Sequence, residues 1–261
     1  MKSLFAAVSL FLLLAQPACA ADFATRVMDA TFKLHHADST STCFLIREGE
    51  PDKACWLVTA AHSFKQMKGD AATLVLRRQG EAGAYERVER ELAIRKGGNQ
   101  LWHAHQEQDV AVLKLDFELP AEVAPIPLEY LANANRLAEA GVHICSPLFV
   151  FTYPERFEAN SAGFPVARQG IFSSPPVLPA DSSPTFLADF TTFAGDSGGP
   201  VFIATKEGEP LVVGIAVGQF HHDEKIDSIY ESRVVKHPFR LGIVLHARYL
   251  HETISLARTQ N

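Results

Sequence analysis

The sequence predicts an all-β protein of two antiparallel six-stranded β-barrels that ends in an α-helix. Short runs rich in Val, Ile, Leu, Phe and Thr alternate with turn-forming stretches, as strands and turns do, and long helical patterns are nearly missing from the sequence. The runs form two sets of about six, and closing each set into a barrel removes its exposed edges. At 261 residues, 47% of them hydrophobic and 21% charged, the chain is long enough for one two-lobed unit.

The two sets of predicted strands are separated by a proline-containing crossover. The strands predicted in the first half are 30–34, 42–47, 54–60, 72–77, 85–95 and 110–115, and those in the second half are 142–152, 165–173, 185–190, 200–204, 211–219 and 240–245. Residues 118–135 carry Pro120, Pro125 and Pro127 and show no strand alternation. They are therefore predicted to connect an N-terminal lobe, 21–117, to a C-terminal lobe, 136–261.

The final segment has the pattern of an amphipathic helix. Ala247, Leu250, Ile254 and Ala257 recur at spacings of three and four, which places them on one helical face. We expect this face to pack against a barrel.

The first twenty residues are typical of an export signal. Lys2 supplies a positive start, residues 4–15 are apolar, and 18–20 are small residues suited to cleavage. The mature chain is thus predicted to begin at Ala21, in the periplasm or outside the cell. A membrane anchor is a weaker alternative, because the apolar run is shorter than the ~20 residues of a membrane-spanning helix. Lipid attachment at Cys19 is another, but Gln16 and Pro17 fit it poorly.

Losing Cys19 with the signal leaves three cysteines in an oxidising compartment. Cys43 and Cys55 are equally distant from Gly49, so a hairpin centred on that glycine predicts a disulfide between them. Cys145 lies in the apolar stretch 142–150 and is predicted to be a buried thiol.

Three short motifs occur in a fixed order: LVTAAH at 57–62, DVAVL at 109–113 and GDSGGP at 195–200. They resemble the chymotrypsin-like serine peptidases, and RQGI at 168–171 and LGIV at 241–244 resemble the bacterial branches of that family. At average residue frequencies, a match such as GDSGGP arises by chance in a chain of this length with a probability on the order of 10⁻⁵. The resemblance implies two barrels with the active site in the cleft between them.

The same resemblance implies a catalytic triad of His62, Asp109 and Ser197. A serine hydroxyl needs a base to become a nucleophile, histidine is the usual base near neutral pH, and the Asp109 carboxylate would orient the His62 imidazole. The backbone N–H groups of Gly195 and Ser197 would form the oxyanion hole. Each residue alone also has a structural interpretation, as a core histidine, a strand-end cap or a turn serine.

Asp196 is where the family places a carboxylate that shapes the oxyanion loop. In the zymogen branches its partner is a new N-terminal amine, usually of an Ile-Val start, and residues 21–28 contain no such start. We therefore expect an internal donor to hold Asp196.

The substrate pocket is predicted to favour a neutral P1 side chain, the one that precedes the scissile bond. Thr191 occupies the position of the aspartate that gives trypsin its basic specificity, and Ala216 that of a histidine found in glutamate-specific relatives. Asp189 lies nearby, but strand alternation alone does not direct its carboxylate into the pocket. The predicted lining is Thr191, Thr192, Val217 and Gly218, with Phe220 as a further candidate.

Other classes of function have less support in the sequence. The net charge of −6 gives no indication of a nucleic-acid partner, and no stable membrane insertion is predicted. The histidine pairs at 35–36, 103 and 105, and 221–222 lack a recognisable metal spacing, so neither a metal nor a cofactor is predicted. The expected partner is a protein or peptide substrate. A binding protein that keeps the peptidase fold, and an esterase, remain the alternatives.

Overall fold

The structure is a computed structural model that describes residues 22–37, 39–49, 54–175, 178–180 and 182–260, without the side chain of Ala82. The predicted export signal lies outside the described residues. The chain is mostly β and ends in a helix, as predicted. None of the described helices has both the length and the apolar character needed to span a bilayer.

The elements follow one another along the chain in this order. The helices are α1 (Phe23–Asp29), α2 (Ala61–Gln66), α3 (Ala134–Ala140) and α4 (Arg248–Gln260), and single 3₁₀ turns occur at Glu81–Gly83, Leu128–Tyr130 and Pro154–Arg156. The strands are β1 (Thr31–His36), β2 (Ser39–Arg47), β3 (Cys55–Thr59), β4 (Ala71–Gln79), β5 (Tyr85–Ala93), β6 (Arg95–Lys96), β7 (Asn99–Gln100), β8 (His103–Ala104), β9 (Ala111–Lys114), β10 (Ile126–Pro127), β11 (Pro147–Thr152), β12 (Val166–Ile171), β13 (Thr185–Asp189), β14 (Pro200–Ala204), β15 (Pro210–Asp227) and β16 (Ser232–His246).

Two sheets form the body of the molecule. An eight-stranded sheet runs β5-β4-β1-β2-β3-β9-β8, with β10 added in parallel to β2, and a six-stranded sheet runs β12-β11-β14-β15-β16-β13. We predicted two closed six-stranded barrels, and only the mostly-β character and the terminal helix are confirmed. Among the described residues, the outer strands of the first sheet do not pair with each other, and those of the second sheet meet only through an isolated antiparallel bridge between Phe172, which follows β12, and Ala188 of β13. One reason is that β5 is a charged, largely exposed strand, the kind of edge that proteins leave unpaired without aggregating.

The central strands of the first sheet are buried on both faces. In β2 and β3, the odd-numbered Cys43 and Leu57 face a core inside the first lobe, whereas the even-numbered Phe44 and Trp56 belong to a core shared with the second sheet. This follows from the alternation of side chains across a strand. The two lobes are therefore joined by one continuous apolar core.

The C-terminal helix returns to the first lobe. Leu250, Ile254 and Ala257 are buried on one face of α4, as predicted. Its polar face adds contacts that cross the molecule, because Glu252 bonds His105 at 3.2 Å and Arg258 bonds Glu48 at 2.8 Å.

The predicted Cys43–Cys55 disulfide is wrong, since both cysteines are free thiols. The register of β2 with β3 pairs Cys55 with Arg47 and Phe44 with Val58, so Cys43 lies one position beyond Phe44. Cys43 therefore lies four residues along β2 from Arg47, the partner of Cys55, so the two cysteines are offset along the ladder by about 13 Å. Burial raises the pKa of both thiols, that of Cys55 to about 11.

The prediction for Cys145 is also wrong, because this thiol is exposed. The apolar stretch 142–150 becomes a strand only from Pro147 onward. Cys145 itself lies in the preceding turn, with a positive φ of 68°.

Arg77 is a buried cation that connects the two lobes. Its guanidinium donates to the Thr31 carbonyl at 3.0 Å in the first lobe and to the Gly163 carbonyl at 3.1 Å in the second. The group lies 4.5 Å from the ring centres of both Phe32 and Phe164. Only 3% of Arg77 is exposed, so water does not replace these bonds.

We expect Arg77→Met to lower the free energy of unfolding by about 3 kcal/mol, because at least two buried carbonyls lose their donor at ~1–3 kcal/mol each. The measurement is urea denaturation, with Arg78→Met as the matched control. Arg78 is the neighbouring residue, but its ion pair with Glu86 is exposed, so its loss should change stability by less than about 0.5 kcal/mol. Equal effects of the two substitutions would contradict the role given to Arg77.

Candidate active site

Strand pairing brings His62 and Asp109 together. Thr59, the last residue of β3, pairs with Ala111, the first residue of β9. His62 follows β3 as the second residue of α2, and Asp109 precedes β9, so both lie at the same end of the sheet. The Asp109 carboxylate uses both oxygens: Oδ2 lies 2.5 Å from His62 Nδ1, and Oδ1 accepts from the His62 backbone N–H at 2.9 Å.

The electrostatics of this pair favour an ionised Asp109 carboxylate. Partial burial raises the pKa of Asp109, but the hydrogen bonds from the His62 ring and backbone outweigh it and hold that pKa below its usual value. A carboxylate on Nδ1 keeps the proton there and leaves Nε2 as the basic nitrogen. The Asp109 side chain is 37% exposed, so it is less buried than the resemblance implies.

The loop that carries Ser197 is fixed to the first lobe by Thr42. The Thr42 N–H donates to the Ser197 carbonyl at 3.0 Å, and the Thr42 hydroxyl donates to the Gly195 carbonyl at 2.8 Å. The same hydroxyl accepts from the Tyr153 N–H at 3.1 Å. Thr42 is fully buried, so these bonds form away from water.

Gly198 brings the loop into contact with the strand that leads to His62. Its φ is +87°, and a Cβ at this position would lie 2.2 Å from Thr59 Oγ1 and 2.9 Å from the Ala60 nitrogen. Only glycine fits this approach. Ser197 is therefore adjacent to the segment that carries His62. Within the described part of the chain, the Ser197 hydroxyl does not form a hydrogen bond with the His62 ring, a bond that is often long before substrate binds.

The backbone around Gly195 is arranged as a donor site. The Ala194 carbonyl accepts from the Glu155 N–H at 2.6 Å. Since a peptide unit is planar and trans, this bond directs the N–H of Gly195 the opposite way. In the described residues, neither the Gly195 nor the Ser197 backbone N–H donates to a protein acceptor. Both N–H groups are thus available to an oxyanion.

Asp196 is 1% exposed and is held by an internal cation. Its Oδ2 accepts from Arg168 Nη2 at 2.6 Å and from the Phe193 N–H at 2.8 Å. Arg168, on β12, also donates to the Thr152 hydroxyl at 2.6 Å. Burial raises the pKa of Asp196, and the Arg168 charge opposes that rise. The predicted internal donor is therefore Arg168.

The predicted pocket residues are brought together in part. The Thr192 hydroxyl donates to the Gly218 carbonyl at 3.1 Å, and Ala216 exchanges backbone bonds with Gly198 and Gly199. These bonds place β15 beside the nucleophile loop. Val217 and Thr191 are half-buried, whereas Asp189 and Phe220 are exposed.

Three histidines outside this site, His105, His221 and His237, each pair with a single carboxylate. His221 bonds Asp223 at 3.1 Å, and His237 bonds Glu224 at 2.8 Å. Across the described ranges, no group of three or more His, Cys, Asp or Glu side chains is placed to hold a metal ion.

Several residues that build the site are not marked by the motifs. Thr42 and the Glu155 N–H act through tertiary contacts, and the sequence around them carries no signal beyond strand pattern. Arg168 lies in the RQGI motif, but its partner becomes visible only in the fold.

Comparison with known proteins identifies the family. The model of the trypsin-like peptidase domain matches residues 41–215, a range that contains His62, Asp109 and Ser197. The chain belongs to this family of trypsin-like peptidases. No curated protein matches the chain.

Two solved structures resemble the chain. The Rv3671c protein of M. tuberculosis H37Rv, crystallised as a serine-to-alanine mutant in an inactive form, is 18% identical, with a TM-score of 0.49 over 94% of each chain. A structure of the Rv3671c protease in an inactive form is also 18% identical, with a TM-score of 0.46 over 88% of this chain and 90% of that one.

We expect Thr42→Val to slow the reaction of Ser197 with a fluorophosphonate probe by about 10- to 100-fold, because Gly195 and Tyr153 lose a buried partner and the oxyanion loop loses its anchor. Thr42→Ser keeps the hydroxyl and should react within about threefold of the wild type. The measurement is the labelling rate in folded protein. A Val variant that reacts as fast as the Ser variant would show that the loop does not depend on this hydroxyl.

We expect Arg168→Met to abolish labelling while the β-structure remains, since Asp196 would be a buried charge without its cation. Conversely, adding residues before Ala21 should leave labelling unchanged, because the donor to Asp196 is internal. The two proteins are compared by probe labelling and circular dichroism. If the extended protein lost reactivity and regained it on removal of the extension, the N-terminus would be required and the role of Arg168 would be refuted.

Proposed function

We propose that this protein is a serine endopeptidase that hydrolyses peptide bonds through an acyl-enzyme. The observation that carries the proposal is the hydrogen-bonded pair of His62 and Asp109. This pair lies at the end of β3, and the loop that contains Gly198 packs against the same end of that strand. Membership of the trypsin-like peptidase family supports the same conclusion.

In this proposal, Ser197 attacks the scissile carbonyl while His62 Nε2 takes the hydroxyl proton. His62 later donates that proton to the leaving amine, and Asp109 stabilises the imidazolium that forms in between. Water then repeats the sequence on the acyl-enzyme, with His62 again as the base. The low pKa of Asp109 favours this, because the carboxylate stays ionised throughout.

The backbone N–H groups of Gly195 and Ser197 are proposed to stabilise the oxyanion. Two hydrogen bonds hold this backbone in place before substrate arrives. The Glu155 N–H donates to the Ala194 carbonyl, and the Thr42 hydroxyl donates to the Gly195 carbonyl. A preformed donor pair stabilises the oxyanion more than a pair that must reorganise, because no free energy is spent on ordering the donors during the reaction. Asp196, paired with Arg168, supports the loop from behind.

We further propose that the two sheets are the two β-barrel lobes of the family, 21–117 and 136–261, joined by the crossover 118–135. The active site then lies in the cleft between them. The proposed pocket of Thr191, Thr192, Val217 and Gly218 contains no charged side chain, which favours a neutral P1 residue.

We also propose that the protein is exported and cleaved near Ala20, so that it acts in the periplasm or outside the cell. The basis is the apolar sequence 4–15 that follows Lys2. The two buried free thiols are compatible with the periplasm and with the outside of the cell. Burial keeps both thiols protonated, and a protonated thiol is the unreactive form.

The test is fluorophosphonate labelling with peptide mapping, followed by turnover of matched peptide and ester substrates. We expect label only on Ser197, none in Ser197→Ala, and a fall in kcat of about 10⁴-fold in Asp109→Asn, which disturbs the histidine tautomer. A peptide library should show no dominance of Arg or Glu at P1.

The alternatives predict different results in the same assay. Turnover of esters without peptides would indicate an esterase. Folded protein that neither labels nor turns over either substrate would indicate a binding protein, and the proposed function would be wrong.

A further inference from the structure

The β15–β16 hairpin extends far beyond the second lobe. We call residues 220–240 the arm. Cross-strand pairs continue in it from His221 with Pro238 to Asp227 with Ser232. Every residue of the arm is exposed except Val235, which is half-buried. The arm is therefore a two-stranded ribbon without a hydrophobic core.

Such a ribbon is marginally stable in water on its own. The arm nevertheless exposes several large apolar side chains: Phe220, Ile226, Ile229, Tyr230, Val234 and Phe239. Ile229 and Tyr230, at the tip, are 88% and 92% exposed. A partner that covers part of the ribbon would stabilise it.

The arm is the direct continuation of the strand beside the active site. β15 carries Ala216, bonded to the nucleophile loop, and Gly218, bonded to Thr192, before it enters the arm. Two irregularities follow, between Ala216 and Gly218 and between Gln219 and His221, and Arg240 opposite them has a φ of +63°. Such irregularities bend a strand and change its direction, as bulges next to active sites often do.

From Val217 onward, one edge of β15 has no neighbouring strand among the described residues. Its neighbour β14 stops pairing with it at Ile215, opposite Pro200. From Val217 onward, within the described residues, β15 pairs only with β16. An unpaired edge presents backbone N–H and C=O groups to another extended chain.

We propose that this edge extends the substrate site, and that an extended, unfolded segment of the substrate protein adds to β15 as a further strand. This inference rests on the proposed function. The proposed P1 pocket includes Val217 and Gly218, which lie between Ser197 and the arm. A substrate that follows β15 away from Ser197 therefore places there the residues that precede P1, over about eight positions.

The chemistry of the edge indicates which segments it binds. The acidic side chains of the β15 half of the arm each contact a basic partner within the arm: Asp223 with His221, Glu224 with His237, and Asp227 with Lys225. Each of these carboxylates is thus already engaged by a side chain within the arm. Recognition then depends on backbone hydrogen bonds and on apolar contacts to Phe220 and Ile226, which selects unfolded chain rather than a charged sequence.

The experiment uses a series of fluorogenic peptides with one cleavage site and zero, two, four, six or eight additional residues on its N-terminal side. For the wild type, kcat/KM should rise at least about tenfold over the series, since several backbone hydrogen bonds are added. Equal extension on the C-terminal side is the control and should have no effect.

A shortened variant tests the arm itself. Replacing 222–237 with Asn-Gly joins His221 to Pro238 through a two-residue turn and keeps the strand to Gln219. This variant should cleave the peptides with zero or two additional residues at the wild-type rate and gain nothing from the longer extensions. A second test needs only the wild type: N-methylation at alternate backbone positions of the long peptide should abolish the gain for one of the two sets of positions, whereas exchanging one apolar side chain for another should not.

Each result is decisive. Cleavage of short peptides with no length dependence, or with equal gain in the shortened variant, overturns the inference and leaves the proposed function intact. Light scattering gives a second way to overturn the inference. If the wild type dimerises, the shortened variant does not, and cleavage shows no length dependence, then the edge binds a second copy of the chain. If neither cleavage nor labelling of Ser197 occurs, the proposed function fails, and the inference with it.

Discussion

The site depends on one buried threonine at the junction of the two sheets. Thr42 donates its N–H to Ser197 and its hydroxyl to Gly195, accepts from Tyr153, and its carbonyl accepts from the Thr59 hydroxyl at 2.7 Å. The first lobe supplies Thr42 and Thr59, and the second lobe supplies the other three residues. Because Thr42 is fully buried, water cannot replace these bonds, and the two lobes cannot separate without leaving polar groups unpaired. The position of Ser197 relative to His62 is thus a consequence of how the lobes pack.

Two buried arginines complete this framework in different ways. Arg77 binds mostly backbone carbonyls and lies against two aromatic rings, so it acts as a multivalent donor with a planar, weakly hydrated head. Arg168 neutralises a carboxylate that is almost inaccessible to solvent. A buried pair of this kind contributes little net stability but fixes geometry, because removal of either partner leaves an unpaired charge. Among the described residues, the loop of Asp196 is thereby held by an internal side chain.

The sequence predicted those features that are encoded locally. The strands β2 and β3 and the helix α4 follow from apolar periodicity, and the motifs identified the family because their residue types are rare in combination. The hairpin register could not be predicted from the position of Gly49, because the strands pair Arg47 with Cys55, and the disulfide prediction failed with it. The arm was missed for a related reason: residues 220–240 have no buried face, so their sequence lacks the alternation that marks a half-buried strand. Thr42 was invisible as a site residue because its partners in the second lobe, Tyr153, Gly195 and Ser197, are more than a hundred positions away.

The exposed edge of the arm carries a risk of aggregation, and residues of the arm itself reduce that risk. A long open edge with exposed apolar side chains invites aggregation, and natural sheets limit this with charges, prolines and bulges. The arm contains all three: paired charges on both strands, Pro238 on β16, and irregular pairing at its base. Pro238 and most of the basic residues lie on β16, whereas the edge that continues from the nucleophile loop belongs to β15 and contains no proline. The protection is therefore asymmetric, and the strand that remains open is the one that leads to Ser197.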